Sequence, residues 1–305
     1  MTNKLRPEKF DDLIGQEEIL NNLKISVKSA MVRKDVLSHC LFYGGAGLGK
    51  TTMARALANE LNVPIEIANG ASLTTNKDVL PYLMKMERGS IFFIDEIHRV
   101  SKKVQEYLLT VIEDFRLDIV IPAGKNSAGE TISMDIPKFC FVGATTEMGD
   151  LVQPFLDRFK IKHFMRSYSA EELTSMLIVN ADKLNIKIND SAINIIAKVS
   201  RGTPRIANNF LEWVRDYQIA NALPCLENEQ VTQAISMQGI DEEGLNPSDR
   251  RYLKAMENLS KGGAVGVNTL CAALSIDRQT IEQKIEPFLI QKGYISKTPK
   301  GRVLI

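Results

Sequence analysis

The stretch GGAGLGKTT at residues 44–52 constrains this chain more than any other, because it folds in one kind of surroundings. It fits G-x-x-x-x-G-K-[ST] with Gly44, Gly49, Lys50 and Thr51 in register. It lies between an apolar run, CLFY at 40–43, and a helical pattern, MARALANEL. The spacing predicts a strand, a glycine-rich loop and a helix. Glycines let backbone N–H groups close round phosphate oxygens, and the helix N-terminus adds the positive end of its dipole. Gly44, Gly47, Leu48, Gly49 and Thr52 are the candidate cradle. Lys50 has the reach for β- and γ-phosphates, and the Thr51 hydroxyl suits Mg²⁺.

A second stretch, IFFIDEIH at 91–98, supplies what such a loop needs. Ile91 to Ile94 read as a strand covered on both faces, which places it in a parallel sheet. Carboxylates at the C-terminal end of such a strand sit where open α/β sheets bind ligands. Asp95 suits the hydration shell of Mg²⁺, and Glu96 suits the orientation or deprotonation of an attacking water. The competing reading has Asp95 and Glu96 merely capping a helix that begins near Ser101. The two motifs together predict that a nucleoside triphosphate is bound and hydrolysed with Mg²⁺.

With 305 residues, 44% hydrophobic and 25% charged, the chain reads as a soluble globular protein of two or three domains. Its net charge is only +1, so any nucleic-acid contact has to come from a local patch. Cys40, Cys140, Cys225 and Cys271 are scattered without C-x-x-C spacing, against a zinc site or a disulfide framework. No apolar run approaches the ~18 residues of a membrane span, and no signal peptide is visible; a cytoplasmic location is expected.

Three parts are expected. Residues 1–166 alternate strand and helix patterns, implying a parallel sheet with helices on both faces: CLFY, a helix at 51–61, IEIA at 65–68, a helix near 76–86, IFFID, a helix at 101–115, and FCFVGAT at 139–145. Residues 167–240 carry helical patterns only, an all-α domain. Residues 241–305 form the third part. Between 117 and 136 two β-branched runs flank a Pro/Gly/Asn/Ser tip, which reads as a hairpin. Its run Ile119-Val120-Ile121 is either an exposed partner contact or a face folded back on its own domain.

Two arginines stand in unusual places. In RGTPRIANN at 201–209, Thr203 reads as N-cap and Pro204 as the first helical residue. Arg205 then falls in the first turn, against the helix dipole, where a nearby phosphate or a local carboxylate would explain it. Arg158, in FLDRFKI, is either an ordinary ion-pair partner or an arginine finger offered to a neighbouring subunit's nucleotide, which requires a head-to-tail ring.

On these residues the chain resembles the AAA+ ATPases, and among them the RuvB family of Holliday junction branch-migration motors. The resemblance runs nearly end to end. It is carried most specifically by LRPEKFDDLIGQ at 5–16, GLGKTT at 47–52, FIDEIHR at 93–99, FVGATT at 141–146, RGTPRIAN at 201–208 and EPFLIQKGYISKTPKGR at 286–302. It implies an AAA+ α/β core, an all-α lid and a C-terminal winged helix. It further implies that Leu5, Arg6, Pro7, Ile14 and Gly15 embrace the adenine, and that Tyr168 closes the base pocket. Thr146 matches the sensor-1 position, Pro204 and Arg205 sensor 2, and Arg158 the arginine finger. The 117–136 hairpin matches the element that docks on RuvA, the junction-recognising partner, with Ile119 and Ile121 as anchors. A homohexameric ring around duplex DNA is implied as well.

The chain departs from the family pattern in three places. The loop reads GGAGLGKT where GPPGLGKT is usual, Glu147 follows the sensor threonine where arginine is usual, and Leu156 stands where an arginine commonly precedes the finger. The last two bear on contacts between subunits.

Residues 248–305 fit a winged helix-turn-helix: helices at about 248–259, from Asn268, and at about 278–291 with Ile281, Ile285, Phe288 and Leu289 inward, then a wing at 294–305. Lys297, Lys300 and Arg302, with Lys292, cluster near the wing tip and suit salt-sensitive phosphate contacts. No aromatic reader or Asn/Gln pair accompanies them, so binding independent of sequence is expected. A solvated basic turn in a protein-interaction module is the plainer alternative. At the level of function, the competitors are a clamp-loader-like remodeller acting at DNA and an ATP-binding switch without turnover.

Overall fold

A strand apolar on both faces stays dry only inside a covered sheet, and β3 (Ile91–Asp95) lies there, with Ile91 to Ile94 fully buried. The computed structural model describes residues 4–121, 130–260 and 262–305. The chain divides into two units, Met1–Tyr168 and Ser169–Ile305.

In the first unit β1 (Cys40–Gly44), β2 (Ile65–Asn69), β3, β6 (Cys140–Thr145) and β7 (Ile161–Met165) form one parallel sheet in the order β2-β3-β6-β1-β7. Register places Phe42 opposite Ala144 and Asn69 opposite Asp95, so the C-terminal ends of β1, β2, β3 and β6 lie along one edge. The helices are α1 (Glu17–Arg33), α2 (Lys50–Leu61), α3 (Asn76–Leu83), α4 (Lys102–Asp114) and α5 (Gln153–Asp157). α3 stops at Leu83 rather than near 86, and α4 matches its apolar stripe, burying Val104, Leu108, Val111 and Ile112. Ser101 itself caps α4 by accepting the Val104 N–H, so Asp95 and Glu96 are not that helix's cap. Beneath the sheet Phe92, Phe141, Phe155 and Phe159 pack ring on ring, Phe141 and Phe159 with centroids 5.5 Å apart.

β4 (Arg116–Ile121) and β5 (Glu130–Asp135) form the expected antiparallel hairpin. Its tip, 122–129, and the side chain of Ile121 lie outside the described residues. The base is folded back: Leu117 is buried and Met134 packs on the core. Farther out, Ile119 is half-buried rather than exposed, and Ile132, opposite it, is 46% exposed.

The second unit holds α6 (Ala170–Lys183), α7 (Asp190–Val199), α8 (Pro204–Ala220) and α9 (Asn228–Met237). These are followed by α10 (Pro247–Ser260), α11 (Val267–Leu274), α12 (Arg278–Thr280), a π-helical stretch at Ile281–Ile285, α13 (Glu286–Gln291), and the wing strands β8 (Ile295–Thr298) and β9 (Gly301–Leu304). Ile281, Ile285, Phe288 and Leu289 face the core as the spacing predicts. The π turn follows from Pro287, which has no N–H to offer the Gln283 carbonyl and crowds the turn before it.

Candidate nucleotide site and basic wing

The loop after β1 can take its shape only with glycine at its start. Gly44 has φ +141°, and a Cβ there would stand 2.3 Å from the Met165 carbonyl oxygen on β7. Gly47 and Gly49 are also left-handed, at +78° and +98°. Lys50 opens α2, largely buried, with Nζ folded over the loop to donate to the carbonyls of Gly44 at 2.8 Å and Gly45 at 2.7 Å. Thr51 Oγ1 donates to Asp95 Oδ2 at 2.8 Å, so the two expected Mg²⁺ ligands are in contact across the strand ends. The other carboxylate oxygen, Oδ1, accepts the Glu96 N–H at 3.0 Å.

Glu96 is left-handed, φ +49°, and leads a 3₁₀ turn, Ile97–Arg99. Its Oε2 accepts from Arg99 Nη1 at 2.9 Å, in a half-exposed pair. What allows Glu96 this position is Gly70, just past β2: a Cβ on Gly70 would stand 2.2 Å from the Glu96 carbonyl oxygen. Sequence reasoning missed Gly70, which belongs to no motif. Gly70→Ala has to push the Glu96 turn aside, and an ångström-scale misplacement there is expected to lower ATP turnover by roughly 10²-fold. Steady-state phosphate release beside a thermal melt checks this; unchanged turnover in the folded variant contradicts it.

The end of β6 is tied to the same turn. Thr145, fully buried, shares a 3.0 Å hydrogen bond with His98 Nδ1 and accepts the Glu147 N–H at 2.9 Å. Thr146, the expected sensor, follows it and is exposed. Thr145 was not anticipated; a polar residue closing an apolar run was its only signal.

The N-terminal arm is fastened beside the loop. Leu5 is buried and Arg6, Pro7 and Ile14 are half-buried. The Phe10 N–H donates to Glu60 Oε1 at 2.9 Å, and Gln16 Nε2 donates to the Arg166 carbonyl at 2.6 Å. Tyr168, buried, has its hydroxyl 4.0 Å from where a Cβ on Gly49 would stand. The first unit thus brings together Gly44, Lys50, Thr51, Asp95, Glu96 and Tyr168.

Arg158 is not in that group. It follows α5 as its C-cap, with Nη2 2.6 Å from Glu113 Oε2 on α4, and its Nε is buried without a hydrogen-bond partner among the described residues. Leu156 is buried among Phe155 and Phe159, within the core. In the second unit Pro204 is the first residue of α8, as expected. Thr203 holds the cap position but does not cap with its side chain; its hydroxyl donates to the Arg201 carbonyl instead. Arg205 is exposed and, among the described residues, has no carboxylate partner.

The wing departs from its sequence reading at Arg302. Grouped with the tip lysines by charge, Arg302 is buried, its guanidinium donating to Glu286 Oε1 and Glu282 Oε1, each at 2.7 Å. Glu286 is fully buried on α13 and also accepts from Tyr252 Oη at 3.0 Å; Lys297 Nζ lies 2.9 Å from its other oxygen. Burial pushes the Glu286 carboxyl up, but the hydrogen bonds from Arg302, Lys297 and Tyr252 outweigh it and hold it below the usual range. Hydrogen bonds from Arg278 and Arg302 hold Glu282 down to about 2. Lys300 remains exposed at the tip and Lys297 half-exposed.

Both carboxyls have folded pKa values below their unfolded ones, so their contribution is complete above the ordinary value of 4.5 and is lost as pH falls toward about 2. The melting temperature of the winged helix is expected to fall over that window, less steeply in Glu286→Gln. Equal slopes in melts at stepped acid pH would contradict the assignment.

Three family models match in succession: the Holliday junction DNA helicase RuvB P-loop domain at residues 5–165, the RuvB AAA lid domain at 168–241 and the RuvB C-terminal winged helix domain at 242–305. The chain is 40% identical over 299 residues to the Holliday junction branch migration complex subunit RuvB of Rhodopirellula baltica, covering 98% of this chain and 81% of that relative. It is 42% identical over 298 residues to the subunit of the same name from Staphylococcus haemolyticus, covering 98% and 89%. The solved Thermotoga maritima RuvB Holliday junction branch migration motor superposes with a TM-score of 0.87 at 37% identity, covering 99% of this chain and 96% of that one.

Proposed function

The chain belongs to the RuvB family, P-loop ATPases that drive Holliday junction branch migration, and from that premise we propose how its own residues do the work. The observation that carries the reading is the meeting of Thr51 and Asp95 at 2.8 Å beside the Lys50 loop, on a chain that ends in a winged helix.

The loop N–H groups and Lys50 Nζ bind the triphosphate. A hydroxyl and a carboxylate fit a hard cation, so Thr51 and Asp95 would hold Mg²⁺, which when bound would supply charge neutralisation at the phosphates. Glu96 orients water for attack on the γ-phosphorus and takes its proton as the bond to the β-phosphate oxygen breaks. Swinging Glu96 from Arg99 toward that water breaks only an exposed ion pair, worth about 0–1 kcal/mol. Thr146 and Arg205 read the γ-phosphate. For Arg205 the support is an exposed guanidinium in the first turn of a helix, with no carboxylate among the described residues to account for it. Arg158 serves the neighbouring subunit's nucleotide, which requires a ring, a hexamer by family resemblance. Leu5, Arg6, Ile14 and Tyr168 hold the adenine.

Lys300 and Lys297 contact duplex phosphates without reading sequence. The hairpin docks on RuvA through the pair Ile119 and Ile132. Among the described residues no helix is long and apolar enough to cross a membrane; we place the protein in the cytoplasm.

Phosphate release with and without four-way junction DNA and RuvA tests the reading. Turnover should rise with DNA and disappear in Glu96→Gln, which retains nucleotide binding. Turnover that survives Glu96→Gln would remove Glu96 from the chemistry.

A further inference from the structure

Two residues past the end of α7, Arg201 is in the left-handed region, φ +55°, and Gly202 follows at +66°; together they turn the chain into α8, whose first residues are Pro204 and Arg205. A non-glycine residue at positive φ persists where surrounding contacts over-determine it. For the Arg201 side chain the contacts come from the next domain. Its Nε and Nη2 donate to the Gly244 carbonyl at 3.0 and 2.7 Å, Nη2 also donates to Asp249 Oδ2, and the guanidinium lies over the Phe288 ring at 4.2 Å. The Arg201 side chain is 14% exposed and that of Asp249 0%.

The partner surfaces are tight. Gly244 has φ +82°, and a Cβ there would stand 3.2 Å from the Val199 carbonyl oxygen, so the linker after α9 is pressed on the end of α7. From the other side Arg250 donates to the Leu245 carbonyl at 2.7 Å and the Gly239 carbonyl at 2.8 Å. Among the described residues Asp249 Oδ1 is buried without a hydrogen-bond partner, so the burial of this carboxylate is offset through Oδ2, by Arg201 and the Asn246 N–H.

We infer that Arg201 is a positioning residue that locks α6–α9 and the winged helix into one body, so that a shift of the first turn of α8 is delivered to the DNA-contacting wing. The coupling role rests on the reading of Arg205 as the γ-phosphate sensor. Its placement suits that role, because the arginine sits four residues before Arg205 in the chain. It also stacks on α13, the helix whose Glu286 holds the wing through Arg302.

The test compares wild type with Arg201→Gln/Asp249→Asn, which removes the ion pair without leaving a buried charge unpaired, and with Arg201→Lys, which keeps the charge but loses the fork on Gly244. Spin labels at cysteines replacing the exposed Lys183 on α6 and Glu257 on α10, with Cys225 and Cys271 changed to serine, report the separation of the two portions. The wild type should give one narrow distance distribution, and the double variant one that is broadened. Base pairs migrated per ATP hydrolysed should then fall by about tenfold, while ATP turnover and DNA affinity stay within about twofold. Arg201→Lys should fall between. An unbroadened distribution in the double variant overturns the lock. Broadening with an unchanged yield per ATP overturns the coupling. The label distances answer for the joint alone, so a failure of the motor reading leaves that arm standing.

Discussion

Arg158→Ala is expected to cut ATP turnover by roughly 10³-fold while nucleotide affinity and fold are preserved. The fold should survive because the substitution removes, within its own chain, the pair with Glu113, whose side chains are 40% and 48% exposed. Such pairs contribute only about 0–1 kcal/mol. The buried Nε, unpartnered among the described residues, and the position at the end of α5 leave the guanidinium lightly held. A finger acting in trans has a signature of its own. Mixing Arg158→Ala with Glu96→Gln subunits, each inactive alone, places an intact Glu96 beside an intact Arg158 at some interfaces and should restore turnover. Two inactive proteins that stay inactive on mixing, although they co-assemble, would contradict action in trans.

Arg302→Ala is expected to unfold the winged helix rather than simply weaken its grip on DNA. The substitution leaves Glu286, fully buried, without the guanidinium that offsets its charge, with Tyr252 and Lys297 as remaining partners. Removing one partner of a buried pair costs about 3–5 kcal/mol, enough to melt a small domain in physiological conditions. Lys300→Ala is the contrast: it should leave the melt alone, lower DNA affinity and reduce the salt slope by about one. Circular-dichroism melts and affinities at several salt concentrations separate the two. An Arg302→Ala variant that melts like wild type and loses only salt slope would show that Arg302 meets phosphate.

Much of the first unit was legible because its signals are local. A strand apolar on both faces has few places to go, and a glycine loop between strand and helix specifies its own surroundings. The hairpin, the helices of the winged part and the inward face of 281–289 followed from periodicity in the same way. What escaped depends on residues distant in sequence. Gly70 is required by a backbone passing from another strand end, and Thr145 by His98 across the sheet edge. Arg302 was misread because counting charges near the wing tip says nothing of Glu282 and Glu286 on the preceding helical segment. Their four-residue spacing opposite the basic wing was the available sign. The exposure of Ile132 was not foreseen because the apolar run on β4 drew attention from its cross-strand neighbour. The π turn at 281–285 was foreshadowed only by Pro287.

The central claim is that ATP hydrolysis in the Lys50–Glu96 site drives duplex DNA through a junction. The direct measurement is conversion of a synthetic four-way junction into two duplexes in the presence of RuvA, comparing wild type with Glu96→Gln. Product that requires ATP, RuvA and Glu96 is the expected result. Robust DNA-stimulated hydrolysis with no product would contradict it and point to a loader or remodeller acting on another client.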